Sequence, residues 1–509
     1  MSESAMSESL WRQSRLPFES GSFQPGERTG VLVVGAGLTG LITACLLARA
    51  GDQVLVIDAL YPGALASGGS TGKLSLLQGA RLSDIARHQP EEVVRAYVDA
   101  NRAGQNWLVT FIRSRAVRFS ERPAYSLARS PAAIDRLEHE YILGRAAGLP
   151  LQRVRETELA WERGLALRLD AQIHLNPMSL VQALLAECRA LGVRVIGDCT
   201  ATAVSPRPNG YSAQTTRGEV TAERVIAATG TPFLSRGGHF ARGDAQRSSL
   251  TAYSTPGSAV EGMYLTLDEP RRSVLTTDLV DGEPLLLVGG AAKVVGREQA
   301  ASESVEAVDD WTAEHFPGAT PRSRWWAQDY STLDDAPYVG PLHPGERGIL
   351  VATGFAKWGI ANAAAAGLAL AALVHGEGLS WAHTLYRRRG WPPRNITQMA
   401  RTNLAVAAES ARGVARVLGA HDDSTPSGHA ALVELDGVRP VARCTVGGVD
   451  HRVSAVCPHL GGIVAWNEAE LSWDCPLHGS RFAPDGTRIE GPARGDLTAA
   501  PPRDENQQP

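Results

Sequence analysis

The sequence has no excess of positive charge and no apolar run long enough to cross a membrane. Its 50 lysines and arginines face 54 aspartates and glutamates, which gives a formal net charge of −4. Nucleic acids and anionic membranes attract basic surfaces, so this balance argues against either partner. The longest apolar stretch, residues 360–374, contains Asn362 and is shorter than the roughly 18 to 20 residues of a membrane span. It predicts a buried helix.

Cysteine and targeting signals are also scarce. Six cysteines in 509 residues are too few for a disulfide framework. The opening residues, MSESAMSESLWRQSRLPF, contain no basic start followed by an apolar run and do not resemble a secretory signal. These absences predict a cytoplasmic protein, and the length predicts two or more domains.

Residues 31–58 form the first informative motif, an apolar strand, a glycine turn, an amphipathic helix and a second strand that ends in Asp58. In a G-x-G-x-x-G turn, the glycines allow a tight bend, close approach of a pyrophosphate and close packing of the helix. An acidic residue at the end of the second strand accepts hydrogen bonds from an adenosine ribose. The turn residues expected to bind a dinucleotide are Gly35, Gly37, Leu38, Thr39 and Gly40.

The rest of the chain decides which dinucleotide is expected. No second G-x-G-x-x-G appears, so a separate NAD(P)H domain is not predicted and FAD alone is favoured. GAGLTG with Asp58, AATG at 227–230 and ATGFAKWG at 352–359 occur in that order. In these motifs the chain resembles the D-amino-acid oxidase superfamily of flavoenzymes, which includes glycine and sarcosine oxidases. The resemblance covers about residues 30–375 and implies FAD as the cofactor.

The resemblance also implies contacts near the flavin ring. A helix that begins near Gly359 can point its positive end at the pyrimidine edge of the flavin, where negative charge accumulates on reduction. Lys357 would strengthen that field, unless it is an ordinary surface lysine. A glycine-rich loop matches the place where relatives contact the isoalloxazine, with ordinary loop chemistry as the alternative. The expected contacts are Ser70, Thr71, Gly72, Lys73, Gly230, Gly354, Lys357, Trp358 and Gly359.

Two cysteines and two histidines alternate near the C-terminus. Cys457-Pro-His459 and Cys475-Pro-Leu-His478 resemble the two loops of a Rieske [2Fe–2S] centre, in which two cysteines hold one iron and two histidines hold the other. A structural zinc site uses the same residue types but usually places its cysteines first and its histidines second. The alternating order therefore favours the Rieske centre over zinc.

The Rieske-like loops depart from the respiratory pattern at one pair of positions. Some Rieske proteins join the two loops by a disulfide, and Gly462 and Leu477 stand where those cysteines would be. No cross-link can form, and we expect aromatic packing to hold the loops instead. The expected packing residues are Trp466, Trp473 and Phe482.

Together these motifs predict a Rossmann-like α/β FAD-binding domain with an inserted α+β substrate domain built on an antiparallel sheet, followed by a small all-β Rieske domain. Residues 80–200 read as mostly helical and residues 240–340 as short strands and turns. The predicted segments are a flexible tail (1–28), the FAD-dependent oxidoreductase (29–385), a helical connector and linker (386–428), the Rieske domain (429–502) and a disordered end (503–509).

The combination of cofactors predicts a relay. FAD takes a hydride from a C–H bond, and a Rieske centre passes electrons singly to an external one-electron acceptor or carrier protein. By resemblance the substrate is an amine or amino acid oxidised at its C–N bond. The alternatives are a reductase component that serves a partner oxygenase or carrier, and a redox-sensing protein. The catalytic candidates are Lys293, Tyr264 and Tyr330.

Overall fold

The computed structural model describes residues 8–159, 161, 164–257, 260–280, 282–297, 301–386, 408–409, 411–413 and 431–501. Its helices, apart from two short 3₁₀ turns, are α1 (Leu10–Gln13), α2 (Leu38–Arg49), α3 (Ala66–Gly69), α4 (Arg81–Ala86), α5 (Glu91–Ser114), α6 (Pro131–Ala146), α7 (Pro177–Ala190), α8 (Ala301–His315), α9 (Gly359–His375) and α10 (Ser380–Tyr386).

The strands before the C-terminal domain are β1 (Glu27–Val34), β2 (Val54–Ile57), β3 (Lys73–Leu74), β4 (Phe119–Ala128), β5 (Gln152–Val154), β6 (Leu165–Leu175), β7 (Arg194–Ile196), β8 (Ala201–Arg207), β9 (Gly210–Thr215), β10 (Gly218–Ala227), β11 (Gly243–Ser254), β12 (Met263–Thr266), β13 (Arg272–Thr277), β14 (Leu285–Val294), β15 (Thr320–Thr332), β16 (Tyr338–Pro341) and β17 (Ile349–Thr353).

An eight-stranded sheet contains the strands on either side of the glycine turn. Its main path is β16-β17-β10-β1-β2-β7, with β9 paired to β10 and β8 paired to β9. The strands β17, β10, β1, β2 and β7 run parallel. Because helices cover parallel sheets on both faces, such strands are continuously apolar, and every residue of β2 is buried. The glycine turn follows the carboxyl end of β1, and Asp58 follows the carboxyl end of β2. The turn and Asp58 therefore lie at the same edge of the sheet.

A nine-stranded sheet in the order β15-β11-β14-β13-β12-β4-β6-β3, with β5 on β6, stands beside the first. All its pairings are antiparallel except that of β12 with β4. The strands predicted within residues 240–340 are present, but the sheet also takes β3 to β6 from residues 73–175. The expectation of a mostly helical segment over 80–200 is wrong there. β4 and β6 pair with each other across 36 intervening residues, and a local pattern cannot reveal such a partner.

The alanine-rich stretch near residue 360 is the buried helix that the sequence predicts. α9 is buried on most sides, and neighbouring helices pack closely against it at glycines. A Cβ on Gly104 of α5 would lie 2.6 Å from the carbonyl oxygen of Ala361, and one on Gly367 would lie 2.7 Å from Cγ2 of Ile42 in α2. Small residues at these contacts let three helices share one core.

Part of the segment predicted to be a flexible tail is instead anchored. Trp11 is fully buried, and its indole N–H donates to the carbonyl oxygen of Ser70 at 2.7 Å. The Ser9 hydroxyl donates to the carbonyl oxygen of Gly68 at 2.6 Å. The segment is polar on average, but it contains one large apolar side chain. The free energy gained by burying that side chain exceeds the conformational entropy lost when the segment is fixed in place.

The C-terminal domain contains only strands and loops within residues 431–501. Its strands are β18 (Ala431–Asp436), β19 (Arg439–Val446), β20 (Val449–Ser454), β21 (Ala465–Asn467), β22 (Ser472–Asp474), β23 (Arg481–Phe482) and β24 (Arg488–Glu490). They form a three-stranded sheet, β18-β19-β20, and a four-stranded sheet, β21-β22-β23-β24. The two cysteine–histidine motifs lie in the loops that follow β20 and β22.

Within the described ranges, no single helix is long and apolar enough to cross a membrane, and only the pair α9 and α10, bent by 103° between them, meets the length and composition test when taken together. The predicted connector over 386–428 lies outside the described residues except for 386, 408–409 and 411–413. The predicted end at 503–509 lies wholly outside them.

Candidate active site and cluster loops

A cavity of about 720 Å³ lies between the carboxyl ends of the parallel strands and the nine-stranded sheet. Its volume is within the usual range for sites that enclose a ligand, roughly 300 to 1,000 Å³. Most of the residues that the sequence predicts to bind FAD line it. These are Gly35, Gly37, Leu38, Thr39, Asp58, Ser70, Thr71, Lys73, Gly230, Lys357, Trp358 and Gly359.

One end of the cavity has the features of a pyrophosphate and ribose site. α2 begins after Gly37, whose lack of a side chain leaves the helix without a cap of its own, and the N–H of Leu38 donates to the Ser67 hydroxyl at 3.1 Å. Asp58 accepts the N–H groups of Ala36 at 2.6 Å and Leu60 at 2.8 Å. Desolvation raises the pKa of Asp58 in spite of these donors. A carboxylate so placed favours further donors, such as ribose hydroxyls.

Three of the residues predicted to contact FAD do not line the cavity, but their backbones shape the turns next to it. They are Gly40, Gly72 and Gly354. A Cβ on Gly40 would lie 1.9 Å from the carbonyl oxygen of Gly35, so only glycine lets α2 approach the turn. Gly72 and Gly354 have φ angles of 77° and 82°, in the left-handed region that glycine adopts without strain. None of the three is among the lining residues.

At the other end of the cavity, α9 presents its N-terminus beside a tightly turned loop. Ala356 and Lys357 have positive φ angles of 49° and 72°, an unusual pair for residues that carry a Cβ. Asp329, which the sequence analysis did not single out, holds this loop by accepting the N–H groups of Lys357 and Tyr330. Lys357 reaches the cavity, and desolvation by the surrounding protein lowers its pKa to about 8.

Only one of the three catalytic candidates lies in the cavity wall. Tyr330 lines the cavity. Tyr264 instead stacks on Tyr125, with ring centroids 4.6 Å apart, and donates to Glu158 at 2.7 Å. Lys293 is exposed and lies outside the wall. Successive side chains of a strand point to opposite faces, so the neighbours Leu265 and Ala292 line the cavity in place of Tyr264 and Lys293.

Lys73 combines a position in the cavity wall with an amino group that can accept a proton near neutral pH. It lines the cavity, and its amino group donates to the carbonyl oxygen of Tyr264 at 3.0 Å and to the Ser273 hydroxyl at 2.7 Å. Burial lowers the pKa of Lys73 to about 7, so near neutrality a large fraction is an uncharged amine. The sequence predicted Lys73 only as a flavin contact, because desolvation depends on the folded surroundings.

The two cysteine–histidine loops share one backbone pattern. In the first loop the N–H of Cys457 donates to the carbonyl oxygen of Gly462, and the N–H of Gly461 donates to the carbonyl oxygen of Cys457. In the second loop the N–H of Cys475 donates to the carbonyl oxygen of Ser480, and the N–H of Gly479 donates to the carbonyl oxygen of Cys475. Gly461 and Gly479 occupy the same position, four residues after each cysteine, with φ angles of 76° and 74°. Each loop therefore turns in the same way and presents its ligands inward.

The ligand side chains sort into like pairs. A hydrogen bond between the two thiols lowers the pKa of Cys457 and raises that of Cys475, and the imidazole centroids of His459 and His478 are 5.0 Å apart. Nδ1 of each histidine is buried with no hydrogen-bond partner among the described residues. In that part of the chain no three His, Cys, Asp or Glu side chains converge on one ion position. Two sulfurs and two nitrogens in separate pairs fit a Rieske centre, whereas tetrahedral zinc would gather all four.

Apolar packing occupies the position of the absent disulfide. A Cβ on Gly462 would lie 2.7 Å from Cγ and Cδ1 of Leu477, so the two loops touch where a cross-link would otherwise join them. Trp473 and Phe482 are fully buried beneath the loops, and Trp466 packs on Trp473 with ring centroids 4.8 Å apart. Packing of this kind holds the loops together without a covalent bond.

The two cysteine–histidine loops, or cluster loops, face the larger domain, which contains most of the cavity wall. Phe240, in the 3₁₀ turn His239–Arg242, contacts both cluster histidines edge to face, with centroid distances of 5.2 Å to His459 and 5.0 Å to His478. The side-chain amide of Gln328 donates to the Tyr330 hydroxyl and to the carbonyl oxygen of Gly479, each at 2.8 Å. Since Tyr330 lines the cavity and Gly479 follows His478, one glutamine side chain bridges the cavity wall and a cluster loop.

A buried ion network fastens the two domains. Arg247 of β11 pairs with Glu470 and, at 2.6 Å, with Glu490. Arg481 pairs with both carboxylates from within the C-terminal domain, at 3.1 and 3.3 Å. Burial raises the pKa of Glu470, but the charges of Arg247 and Arg481 outweigh that effect and lower it. Both carboxylates therefore pair with one cation from each domain.

Comparisons with known proteins agree with both halves of this arrangement. The family model described as "DAO: FAD dependent oxidoreductase" matches residues 30–373. The chain is similar to the putative Rieske 2Fe-2S iron-sulfur protein YhfW of Bacillus subtilis (strain 168), with 27% identity over 490 residues that cover 96% of each chain. Residues of the C-terminal part are 44% identical, over 54 residues, to the chloroplastic cytochrome b6-f complex iron-sulfur subunit of Bigelowiella natans, which covers 11% of this chain and 21% of that one.

Solved structures share the fold of the larger part. Glycine oxidase from Geobacillus kaustophilus superposes with a TM-score of 0.61 at 20% identity and covers 72% of this chain and all of its own. L-proline dehydrogenase from P. horikoshii gives a TM-score of 0.60 at 15% identity, over 70% and 97% of the two chains. The cofactors expected from the sequence, FAD and a Rieske [2Fe–2S] cluster, are confirmed. The chain therefore belongs to the DAO family of FAD dependent oxidoreductases and carries a C-terminal Rieske [2Fe–2S] domain.

Proposed function

We propose that this protein is an amine or amino-acid dehydrogenase that oxidises a C–N bond in the FAD cavity and delivers the electrons, through the Rieske cluster, to an external one-electron acceptor. When bound, FAD accepts a hydride from a C–H bond and a Rieske cluster passes single electrons. The observation that carries the proposal is the bridge from Tyr330 through Gln328 to Gly479, which joins the cavity wall to a cluster loop by two hydrogen bonds of 2.8 Å.

The substrate class follows from the cavity and from the relatives. On the sheet side of the cavity, the cationic groups of Arg271, Arg272 and Lys357 outnumber the carboxylates of Glu269 and Asp329. This balance favours an anionic substituent such as a carboxylate. Structural neighbours are named glycine oxidase, L-proline dehydrogenase and L-amino acid deaminase. An amino acid satisfies both observations, because it joins an oxidisable C–N bond to a carboxylate.

Lys73 is the proton acceptor in this proposal. Hydride transfer requires the substrate nitrogen to be uncharged, so the substrate ammonium must lose a proton near the flavin. Lys73 lines the cavity, is partly deprotonated near neutral pH and carries no competing ion pair among the described residues. Its cross-strand neighbour His174 does not titrate in this range, because burial lowers the pKa of that imidazole to about 3.

Anaerobic mixing with a panel of amines and amino acids tests the function. We expect at least one amino acid to bleach the flavin absorbance and then to produce the low-temperature EPR signal of a reduced Rieske centre, with no second protein added. Flavin bleaching that never produces the EPR signal would refute the internal electron route. A panel in which nothing bleaches the flavin, although dithionite reduces both centres, would refute the substrate class.

The pH dependence of flavin reduction tests Lys73. Lys73 is protonated below its pKa of about 7 and neutral above it, so the rate constant for flavin reduction should rise as pH increases through about 7. Lys73→Met should remove this inflection and leave the separate one that comes from the substrate ammonium. The chain has three lysines, Lys73, Lys293 and Lys357, and exposed Lys293 provides the control. An inflection near pH 7 that survives in Lys73→Met would assign the base elsewhere.

A further inference from the structure

The wall of the FAD cavity is not made by the oxidoreductase domain alone. A stretch of the Rieske domain that includes β24 lines the same cavity as the glycine turn and Asp58. The contributing residues are Arg488, Ile489, Glu490, Gly491 and Ala493. The cavity wall is therefore complete only when the Rieske domain is docked.

This stretch is held in place from two sides. Glu490 pairs with Arg247 of the oxidoreductase domain at 2.6 Å and with Arg481 of its own domain at 3.3 Å. Gly491, with a φ angle of 101°, lies so close to the second cluster loop that a Cβ there would be 2.5 Å from Cα of Ser480. The position of β24 against the cavity is thus set by buried contacts.

Arg488 brings an unpaired positive charge to the cavity. Its guanidinium makes no ion pair with any residue in the described ranges, and its one side-chain hydrogen bond there is a long one of 3.4 Å to the carbonyl oxygen of Gly491. The nearby carboxylate of Asp496 accepts the backbone N–H of Arg488 at 2.8 Å. Burial lowers the pKa of Arg488, and the negative charges of Asp496, Asp58 and Glu490 oppose that effect. A half-buried cation of this kind is costly unless an anion meets it.

The location of Arg488 identifies the anion. Arg488 lines the same cavity as Asp58, at the ribose end, and Tyr330, towards the start of α9, and the negative charge of Asp58 raises the pKa of Arg488. Between these two ends FAD carries its diphosphate, which the N-terminus of α2 would also meet. We propose that Arg488 of the Rieske domain binds the diphosphate of FAD, so that the iron–sulfur domain forms part of the flavin site. The proposal does not depend on which substrate the enzyme oxidises.

Titration of the deflavinated full-length chain with FAD tests this assignment, with flavin fluorescence as the readout. Arg488→Gln should weaken FAD binding by about 10- to 100-fold, the range expected for one charge-assisted contact to a phosphate. Competition by ADP should weaken by a similar factor, whereas competition by adenosine, which has no phosphate, should not change. Arg439→Gln, an exposed arginine of the same domain, should match the wild type throughout.

Wild-type FAD affinity in Arg488→Gln would overturn the proposal. So would an equal loss of affinity for ADP and adenosine, because a phosphate contact cannot affect adenosine. The EPR signal of the cluster shows whether the Rieske domain has remained folded in the variant. If that signal is lost in Arg488→Gln, Arg488→Lys decides, since it keeps the charge and should bind FAD within a few-fold of the wild type. A loss of FAD affinity of about 10-fold or more in Arg488→Lys, with its cluster intact, would also refute the role.

Discussion

Replacement of His478 by alanine should abolish the Rieske EPR signal and leave FAD bound, and His459→Ala should do the same. As predicted ligands, the two histidines would supply both nitrogen ligands of one iron. Neither buried Nδ1 has a hydrogen-bond partner among the described residues. The shared backbone turns of the two loops do not depend on either imidazole, so the rest of the domain should fold. Iron analysis of the wild type should give two irons per chain and no stoichiometric zinc.

The matched control for this experiment is His451→Ala, in β20 of the same domain and away from the loops. It should keep full iron content and an unchanged EPR signal. Flavin absorbance should be the same in all four proteins. An EPR signal of wild-type shape and intensity in either ligand variant would show that these histidines are not the ligands. Stoichiometric zinc in the wild type would show that the paired arrangement had been misinterpreted.

Loss of Arg247 should undock the Rieske domain. The side chains of Arg247, Glu470 and Glu490 are only 12%, 9% and 8% exposed, and removal of one partner from such a buried network costs about 3–5 kcal/mol. Arg481 still pairs with both carboxylates, so we expect Arg247→Ala to fall in the lower part of that range. Urea unfolding followed by flavin fluorescence and by cluster absorbance should then show two separate transitions.

Arg322→Ala provides the comparison for Arg247→Ala. Arg322 is an exposed arginine of β15, next to β11, and its guanidinium bonds the Ser254 hydroxyl. Its loss should change the free energy of unfolding by less than about 0.5 kcal/mol. If Arg322→Ala and Arg247→Ala were equally stable, the network would contribute nothing to docking. Weaker FAD binding in Arg247→Ala would in addition be expected, because β24 would leave the cavity wall.

The cofactor motifs could be predicted from sequence because each one is local. GAGLTG is recognisable because the turn requires glycines at fixed positions. At Gly40, for example, a Cβ would lie 1.9 Å from a backbone oxygen. The alternating order of cysteine and histidine likewise predicts one ligand of each type from each loop. Short spacing and backbone geometry are enough for such motifs, so the glycine turn and the cluster loops lie where they were expected.

Features that depend on distant contacts were missed or misassigned. The N-terminal segment reads as polar, but Trp11 is anchored to the loop at Ser70. The strands β4 and β6 pair with each other although a long segment separates them in the sequence. Tyr264 and Lys293 have plausible chemistry, yet strand alternation turns them away from the cavity. Lys73 acquires its unusual pKa only through burial.

By itself, the sequence determined that this protein holds FAD on a Rossmann-like unit and a [2Fe–2S] cluster on two C-terminal loops, because glycine spacing and ligand order are properties of a few adjacent residues. Only the tertiary structure decided how the two halves meet. Phe240 lies against both cluster histidines, Gln328 bridges the cavity and a cluster loop, and Arg488 enters the flavin cavity from the other domain. Such contacts join residues up to about 240 positions apart, and their energies come from burial and charge pairing that exist only after the chain has folded.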